Sequence, residues 1–314
     1  MVERRVSVVP IIGEPLRADL DNFIAIKLPL VKRNGRPCAE ILKFSDFHYG
    51  HRDQLLTFLH RYIEFVRKNP HIRAEILGDL FELQDLAPFL KESEKPQRLQ
   101  IESFIEDFTP IAKQLKIILM GNHDMRFAKA VSNTINLIEY LKLKLGNPHI
   151  FTVEPGRGVL AAYKVGKLVY SDYMMHGDSS ATVNYMGQLK RAALNFRTDI
   201  VSMGHNHKMC AEPYTHHTVA KVGGKLCRLI YRTYLMSCGC FIGYPAYAEK
   251  KSSPINDPGA YLIRLYADRP GIEIIDTRTA FHKELYPHNG TLIIEGKTAT
   301  KTSRAIRTGR RKHE

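Results

Sequence analysis

Five short polar fragments, widely separated along the chain, constrain the fold more than any other feature of the sequence. Four of them directly follow stretches that are typical of buried β-strands. Each fragment supplies oxygen or imidazole groups that can bind a metal ion. The fragments are Asp46-Phe47-His48, Gly78-Asp79-Leu80-Phe81-Glu82, Gly121-Asn122-His123-Asp124, His176-Gly177-Asp178 and Gly204-His205-Asn206-His207. Seven ligands at strand ends predict a two-metal site for phosphate ester chemistry.

The elements around these fragments alternate between strand and helix. Strands are predicted at Cys38–Phe44, Ala74–Leu77 and Ile117–Met120, and apolar residues at helical spacing predict helices over 52–67 and 101–115. This alternation predicts a layered α/β core with its chemistry at the carboxyl ends of the strands.

The remaining segments are predicted to complete a sandwich of two sheets. The run Phe23–Leu30 is predicted to form a hairpin with Cys38–Phe44 around Asn34-Gly35. One or two helices are predicted over 126–146. The second half is predicted to be mainly β, with a hairpin around Gly223-Gly224. Its strands are predicted at Thr218–Val222, Leu226–Leu235, Tyr261–Tyr266, Ile272–Ile275 and Thr291–Ile294.

Composition limits the class of protein. The longest apolar runs fall short of the roughly 18–20 residues that span a membrane, and the first residues do not resemble a signal sequence. The five cysteines form no Cys-x-x-Cys pair, which favours free thiols in a reducing compartment. We therefore expect a soluble, cytoplasmic protein.

The chain is strongly basic, with 46 Lys and Arg against 32 Asp and Glu and a net charge of +14. Such a charge favours phosphate-rich partners such as nucleic acid or anionic lipid, although a merely solvated basic surface has the same composition. We predict a β-rich extension over 1–37, a catalytic domain over 38–297 with a helical cap at 126–150, and a basic, disordered tail over 298–314. Both the basic surface and the tail are candidates for binding nucleic acid.

The seven predicted ligands have complementary chemistry. Asp46 and His48 lie on one turn and can converge on one ion, whereas the two oxygens of Asp79 can bridge two ions. Asn122 adds a neutral oxygen. The histidines His176, His205 and His207 complete the two sets of ligands. Mixed nitrogen and oxygen ligands favour manganese first, with iron, zinc, nickel or cobalt as alternatives.

Two residues next to these ligands are candidate catalytic groups. His123 is predicted to protonate a leaving oxygen or to stabilise the transferring phosphoryl group. Asp124 is predicted to hold the tautomer of His123, and Glu82 and Asp178 are further candidates for positioning the ligands. The nucleophile would be a metal-bound hydroxide, because cations lower the pKa of water.

Each fragment alone has a simpler interpretation. Asp-x-His pairs occur by chance, His-x-His pairs on strands are usually structural, and Gly-Asn-His-Asp is a common kind of polar turn. All five fragments in this order, nearly all at strand ends, favour the functional interpretation. The nine other histidines do not fit the pattern and are interpreted as structural or surface residues.

Together the fragments resemble the calcineurin-like metallophosphoesterase superfamily over about residues 38–275. The resemblance implies a four-layer αββα sandwich of class α/β with two mixed β-sheets and a dinuclear site between them. One metal would be held by Asp46, His48, Asp79 and His207. The other would be held by Asp79, Asn122, His176 and His205, with His123 as the catalytic histidine.

The local sequences point to more than one branch of that superfamily. Ser45 to Gly50 and Gly78 to Glu82 resemble the nuclease subunit of double-strand-break repair complexes, whereas Cys238 to Tyr244 resembles phage and prophage phosphoesterases. A phosphodiesterase acting on nucleic acid is the favoured expectation. The alternatives are a phosphomonoesterase acting on phosphoprotein or nucleotides, and a binding subunit without catalysis.

Overall fold

The structure is a computed structural model that describes residues 22–82, 96–125, 137–154, 156–177, 185–222, 225–243 and 256–278. Four α-helices are bounded in these ranges: α1 Leu56–Lys68, α2 Gln97–Phe108, α3 Leu137–Lys144 and α4 Tyr185–Phe196. The strands are β1 Phe23–Lys27, β2 Val31–Arg33, β3 Arg36–Phe44, β4 Arg73–Leu77, β5 Leu115–Leu119, β6 Phe151–Val153, β7 Val159–Val165, β8 Leu168–Met175, β9 Ile200–Met203, β10 Cys210–Val222, β11 Lys225–Ser237, β12 Tyr261–Tyr266 and β13 Ile272–Asp276.

Some predictions fall outside the described residues. They concern the strand at Thr291–Ile294, the basic tail, Asp178, and the part of the helical segment that precedes α3.

The strands form two mixed sheets. Sheet I has the order β13-β12-β3-β4-β5-β6, with β2 paired to β3, and sheet II has the order β1-β7-β8-β9-β11-β10. Strands β3, β4 and β5 are parallel to one another in sheet I, as are β8, β9 and β11 in sheet II. The carboxyl ends of the parallel strands thus lie together within each sheet.

Three apolar interfaces stack the elements into four layers. One lies between α1, α2, α3 and sheet I, a second between the two sheets, and a third between sheet II and α4. Successive side chains of a β-strand point to opposite faces of its sheet, so one strand can contribute to two interfaces. In β3, Leu42 and Phe44 pack towards the helices, whereas Ile41 packs between the sheets. The predicted αββα architecture is confirmed.

The interior between the sheets also holds a buried ion-pair network. The ammonium nitrogen of Lys43 lies 2.6 Å from a Glu75 oxygen and 2.7 Å from an Asp172 oxygen. The hydroxyl of Tyr163 donates to Glu75 over 2.8 Å, and that of Ser202 donates to Asp172 over 3.0 Å. Burial lowers the pKa of Lys43, but the charges of Asp172 and Glu75 outweigh it and raise the pKa to about 12. The network therefore joins sheet I to sheet II through charged groups.

The predicted hairpin at the start of the chain is partly wrong. The turn at Asn34-Gly35 is present, and both residues have positive φ (49° and 75°), as a two-residue hairpin loop of type I′ requires. However, β2 forms this hairpin with β3, whereas β1 crosses to sheet II and pairs in parallel with β7. The β-propensity of a segment does not specify which strand it pairs with. The short segment between β1 and β2 is enough for the chain to pass from one sheet to the other.

Other predictions agree with the structure. The second hairpin is confirmed as β10 and β11, although each strand is longer than predicted. None of the five cysteines forms a disulfide bond. Among the described residues, no helix is both long enough and apolar enough to cross a membrane.

Candidate metal centre

Five strand ends bring the predicted ligands together between the sheets. Sheet I contributes the loops after β3, β4 and β5, and sheet II contributes the loops after β8 and β9. The ligands that follow these strands in that order are Asp46 and His48, Asp79, Asn122, His176, and His205 and His207. The parallel arrangement within each sheet therefore places all seven at one region of the sandwich.

The backbone of these loops is unusual. Five of the seven predicted ligands have positive φ values, between 46° and 69°. The five are Asp46, His48, Asp79, His205 and His207. A left-handed conformation costs a residue with a side chain about 1–2 kcal/mol, so it persists only where the surroundings enforce it. Such conformations concentrate at functional sites, and here they turn the chain sharply while the side chains face a common centre.

Two glycines allow the loops to approach one another closely. A Cβ atom on Gly78, which has φ of +99°, would overlap the imidazole ring of His176. A Cβ atom on Gly121 would overlap the backbone and carboxylate of Asp79. Any larger residue at either position would therefore displace a predicted ligand.

The first group of ligand atoms contains Asp46, His48 and His207. Nε2 of His207 lies 3.2 Å from Oδ1 of Asp46 and 3.2 Å from Nε2 of His48. Asp46 is fully buried. Its Oδ2 accepts hydrogen bonds from the Ser45 hydroxyl and, over 2.9 Å, from the backbone N–H of His205. Its Oδ1 has no hydrogen-bond donor among the described residues, so this oxygen is available to a cation.

The second group contains Asp79, Asn122, His176 and His205. Nε2 of His176 lies 3.2 Å from Oδ2 of Asp79 and 3.1 Å from Oδ1 of Asn122. The same amide oxygen lies 2.9 Å from Nδ1 of His205. Nε2 of His48 in turn is 3.8 Å from Oδ2 of Asp79. Asp79 thus lies next to both groups, as its predicted bridging position requires.

The tautomers of two histidines show why these atoms suit a metal. His48 donates from Nδ1 to Glu82 over 2.8 Å, and His176 donates from Nδ1 to the carbonyl oxygen of Leu77 over 2.7 Å. In the neutral ring, each Nε2 therefore carries a lone pair. These lone pairs face other acceptors, namely the oxygens of Asp79 and Asn122 around His176. Only a proton or a cation among them removes the repulsion, so the donor set fits divalent metal ions.

The pKa of His176 also reflects the acidic groups around its ring. Burial lowers this pKa, but the charge of Asp79 and its hydrogen bond outweigh burial and raise it to about 10. Asp79 responds in the opposite direction: burial raises its pKa, yet the neighbouring histidines hold it well below its usual range. The site therefore strongly attracts positive charge.

His123 lies beside the ligands but is more open to solvent. Its side chain is 18% exposed, against 2% for Asp79 and 4% for His176. The His123 ring is 4.6 Å from the ring of His48, measured between centroids, and its Nδ1 lies 3.5 Å from Oε2 of Glu82. This position, next to the ligand atoms and reachable from solvent, suits a group that contacts a substrate.

The predicted role of Asp124 differs from its contacts in the structure. Its carboxylate accepts hydrogen bonds from the backbone N–H groups of Gly121 (2.8 Å), Phe81 (3.1 Å) and Leu80 (3.2 Å). It therefore ties the loop after β4 to the loop after β5. The carboxylate of Glu82, in contrast, lies beside His123. Residues 122–125 form a helical turn, and successive side chains on such a turn point in directions about 100° apart.

Glu82 thus contacts both His48 and His123 through the same oxygen. Burial raises its pKa, but hydrogen bonds from the two histidines hold that pKa below its usual range. We predict that Glu82→Gln will weaken metal binding about 10–100-fold, as is usual when the partner of a metal-binding histidine is altered. Competition titration with a metal indicator will measure this, with Glu64→Gln at an exposed position as the control. Equal affinities in the two variants would contradict the prediction.

The sequence belongs to a known family. A family model for calcineurin-like phosphoesterases matches residues 39–221, which contain all seven predicted ligands and His123. The chain therefore belongs to the calcineurin-like phosphoesterase family. No curated protein shows a significant sequence match to it.

Several solved structures are similar to this chain at low sequence identity. Vacuolar Protein Sorting 29 from Cryptosporidium parvum is 17% identical, with 76% of this chain and 91% of that chain covered and a TM-score of 0.40. A conserved uncharacterized protein from Streptococcus pneumoniae is 11% identical, with 76% and 90% covered and a TM-score of 0.34. A putative 5'-nucleotidase from Staphylococcus aureus is 10% identical, with 76% and 53% covered and a TM-score of 0.40.

Proposed function

We propose that this protein is a metal-dependent phosphodiesterase that holds two divalent cations and acts on nucleic acid. The observation that carries the proposal is the ring of inward-facing acceptor atoms at the strand ends of both sheets. Nε2 of His48 lies 3.2 Å from Nε2 of His207, Nε2 of His176 lies 3.1 Å from the amide oxygen of Asn122, and a buried oxygen of Asp46 has no hydrogen-bond partner among the described residues. Cations are the natural occupants of such a ring.

Each of the two proposed metals is assigned to one of the two groups of ligand atoms. Asp46, His48 and His207 would hold one ion, and Asn122, His176 and His205 would hold the other, with Asp79 shared. Manganese is our first expectation among the metals that accept mixed nitrogen and oxygen ligands. Divalent cations in such a site supply Lewis-acid charge for the phosphoryl oxygens and lower the pKa of water.

His123 is proposed to act on the substrate. Its ring is oriented through the buried carboxylate of Glu82 and is partly open to solvent. A histidine in this position can donate a proton to the leaving oxygen of a phosphodiester, or stabilise the charge of the transferring phosphoryl group. In both cases it contacts substrate and is not a metal ligand.

The charge of the chain supports a polyanionic substrate. The net charge of +14 would concentrate nucleic acid near the protein and raise its rate of association. A small phosphomonoester would gain far less from a charge distributed over the whole chain, because each contact with a phosphate of a polymer adds to the affinity.

Three assays test the proposal. Metal analysis and anomalous scattering should find two cations that share Asp79. The manganese-loaded protein should hydrolyse bis-p-nitrophenyl phosphate and DNA or RNA, chelation should abolish this activity, and manganese should restore it. A single cation would contradict the dinuclear site. Faster hydrolysis of p-nitrophenyl phosphate than of any diester would indicate a phosphomonoesterase, and metal binding without hydrolysis would indicate a binding subunit.

A further inference from the structure

The long hairpin of β10 and β11 extends well beyond the rest of sheet II. Its strands pair over 13 residues each, but β9 pairs with β11 only at Tyr234–Ser237. In the described part of the chain, residues 214–222 and 225–233 therefore form a two-stranded ribbon. Nine residues at about 3.3 Å each give this ribbon a length of roughly 30 Å.

One face of the ribbon is exposed along its whole described length. Val219, Leu226 and Ile230 are 68%, 80% and 65% exposed. Arg228 and Arg232 are exposed on the same face, because residues two apart on a strand share a face. This face continues the one that buries Met236 between the two sheets. Beyond the sandwich, it carries large apolar side chains and arginines side by side.

The sequence of this region is strongly basic. Residues 210–237 contain four Lys or Arg and one Glu, and residues 185–198, which include α4, contain three Lys or Arg and no acid. The single acid, Glu212, lies 3.2 Å from Lys190 at the base of the hairpin. A partner of this surface should therefore be anionic.

The opposite face of the ribbon forms a shallow pocket with the end of α4. The pocket has a volume of about 100 Å³ and is lined by Leu194, Arg197, His216, His217 and Tyr231. Nε2 of His216 is buried and has no hydrogen-bond partner among the described residues. Burial and the positive charge of Arg197 lower the pKa of His216. The pocket thus offers the guanidinium of Arg197, the Nε2 nitrogen of His216 and the ring of Tyr231 to a ligand, which are groups that bind phosphates and bases.

We propose that this ribbon binds the sugar–phosphate backbone of double-stranded nucleic acid at a distance from the metal centre. The inference rests on the proposed function, because it assigns the place where the substrate is held. A two-stranded ribbon is narrow enough to enter a groove of a duplex, and a length of roughly 30 Å is close to one helical turn of about 34 Å. The arginines then meet phosphates while the apolar side chains contact sugars.

The topology separates this surface from the cations. The metal ligand His205 follows the carboxyl end of β9. Since β11 runs parallel to β9 and pairs with it only through its last residues, the ribbon extends beyond the amino end of β9, away from His205. The tip of the ribbon is therefore roughly 40 Å from the ligands, counted along the strands. At about 3.4 Å per base pair, a duplex shorter than about 12 base pairs is too short to reach both.

A pair of matched variants tests the inference. Arg228→Gln with Arg232→Gln neutralises the exposed face, and Arg67→Gln with Arg98→Gln neutralises two exposed arginines on helices that pack on sheet I. Fluorescence anisotropy with a 40-base-pair duplex is measured in chelator, so that binding is independent of hydrolysis. The ribbon variant should bind several-fold more weakly. The slope of log affinity against log salt should flatten by about 1–2, since each lost phosphate contact contributes about 0.9.

Catalysis gives a second measurement. In the ribbon variant, the ratio of kcat/KM for the 40-base-pair duplex to kcat/KM for bis-p-nitrophenyl phosphate should fall several-fold. The same ratio measured with an 8-base-pair duplex should stay near its wild-type value. The control variant should keep both ratios.

Three outcomes would overturn the inference. One is an unchanged salt slope in the ribbon variant, and a second is an equal loss in the control variant. The third is a ribbon that binds anionic vesicles, or a second copy of the chain in sedimentation experiments, but not a duplex. Failure of the proposed function gives a different result, namely no hydrolysis of the small diester by the wild-type protein while duplex binding still depends on the ribbon.

Discussion

Replacing His123 with alanine should lower turnover by about 10²–10⁴-fold, the usual contribution of a general acid, while both cations remain bound. The reason is its position. His123 lies beside the predicted ligands, is oriented through Glu82, and is exposed enough to reach a substrate. The measurements are steady-state hydrolysis of nucleic acid and metal content of the purified variant. His60→Ala, at a histidine that is 49% exposed on α1, is the control and should keep wild-type activity.

The leaving group separates two explanations of this loss. If His123 protonates the leaving oxygen, the loss should shrink for bis-p-nitrophenyl phosphate, because nitrophenolate needs little protonation. If His123 instead stabilises the phosphoryl group, good and poor leaving groups should lose activity equally. Loss of a cation in the variant would contradict the assignment and would make His123 a metal ligand.

Replacing Lys43 with methionine should lower the free energy of unfolding by about 3–5 kcal/mol, because two buried carboxylates lose their cationic partner. Lys43, Glu75 and Asp172 are all completely or almost completely buried. Denaturant unfolding will measure the change. Lys164→Met, at an exposed position on β7, should change stability by less than about 0.5 kcal/mol. Neutralising the carboxylates as well, in Lys43→Met with Glu75→Gln and Asp172→Asn, should recover most of the loss.

The destabilisation should also depend on pH. Burial raises the pKa of Glu75 above its usual range, although Lys43 lowers it, so the variant should raise this pKa further. A carboxyl whose pKa is raised in the folded state contributes stability below its unfolded pKa and loses it as the pH rises through the folded pKa. The deficit of Lys43→Met should therefore be smaller at about pH 5 than at about pH 7. A deficit that is equal at both pH values would contradict this account of the network.

The core strands and the convergence of the ligands could be predicted from the sequence because both depend on local signals. Apolar runs mark β3, β4 and β5, and the groups that follow them must meet where parallel strands end. Such reasoning needs no knowledge of distant contacts. The order of strands and polar fragments along the chain is enough to place Asp46, Asp79 and Asn122 near one another.

Features that depend on distant partners or on side-chain direction could not be predicted in this way. β1 pairs with β7, more than 130 positions away, and propensity does not identify that partner. Lys43 meets Asp172 across the two sheets, although a charged residue in a strand is ordinarily interpreted as facing solvent. The contact of His123 with Glu82, and of Asp124 with backbone N–H groups, depends on the direction of side chains on a single helical turn.

The division of the predicted ligands between two sheets has a thermodynamic consequence. Asp46, His48, Asp79 and Asn122 follow strands of sheet I, whereas His176, His205 and His207 follow strands of sheet II. A cation bound by both sets acts as a non-covalent cross-link, because unfolding separates the sheets and releases it. At a free concentration 100 times the Kd, one such ion adds about 2.7 kcal/mol to stability. That energy is comparable with the loss of stability expected for Lys43→Met. The free metal concentration would therefore determine whether the protein stays folded when a substitution destabilises its interior.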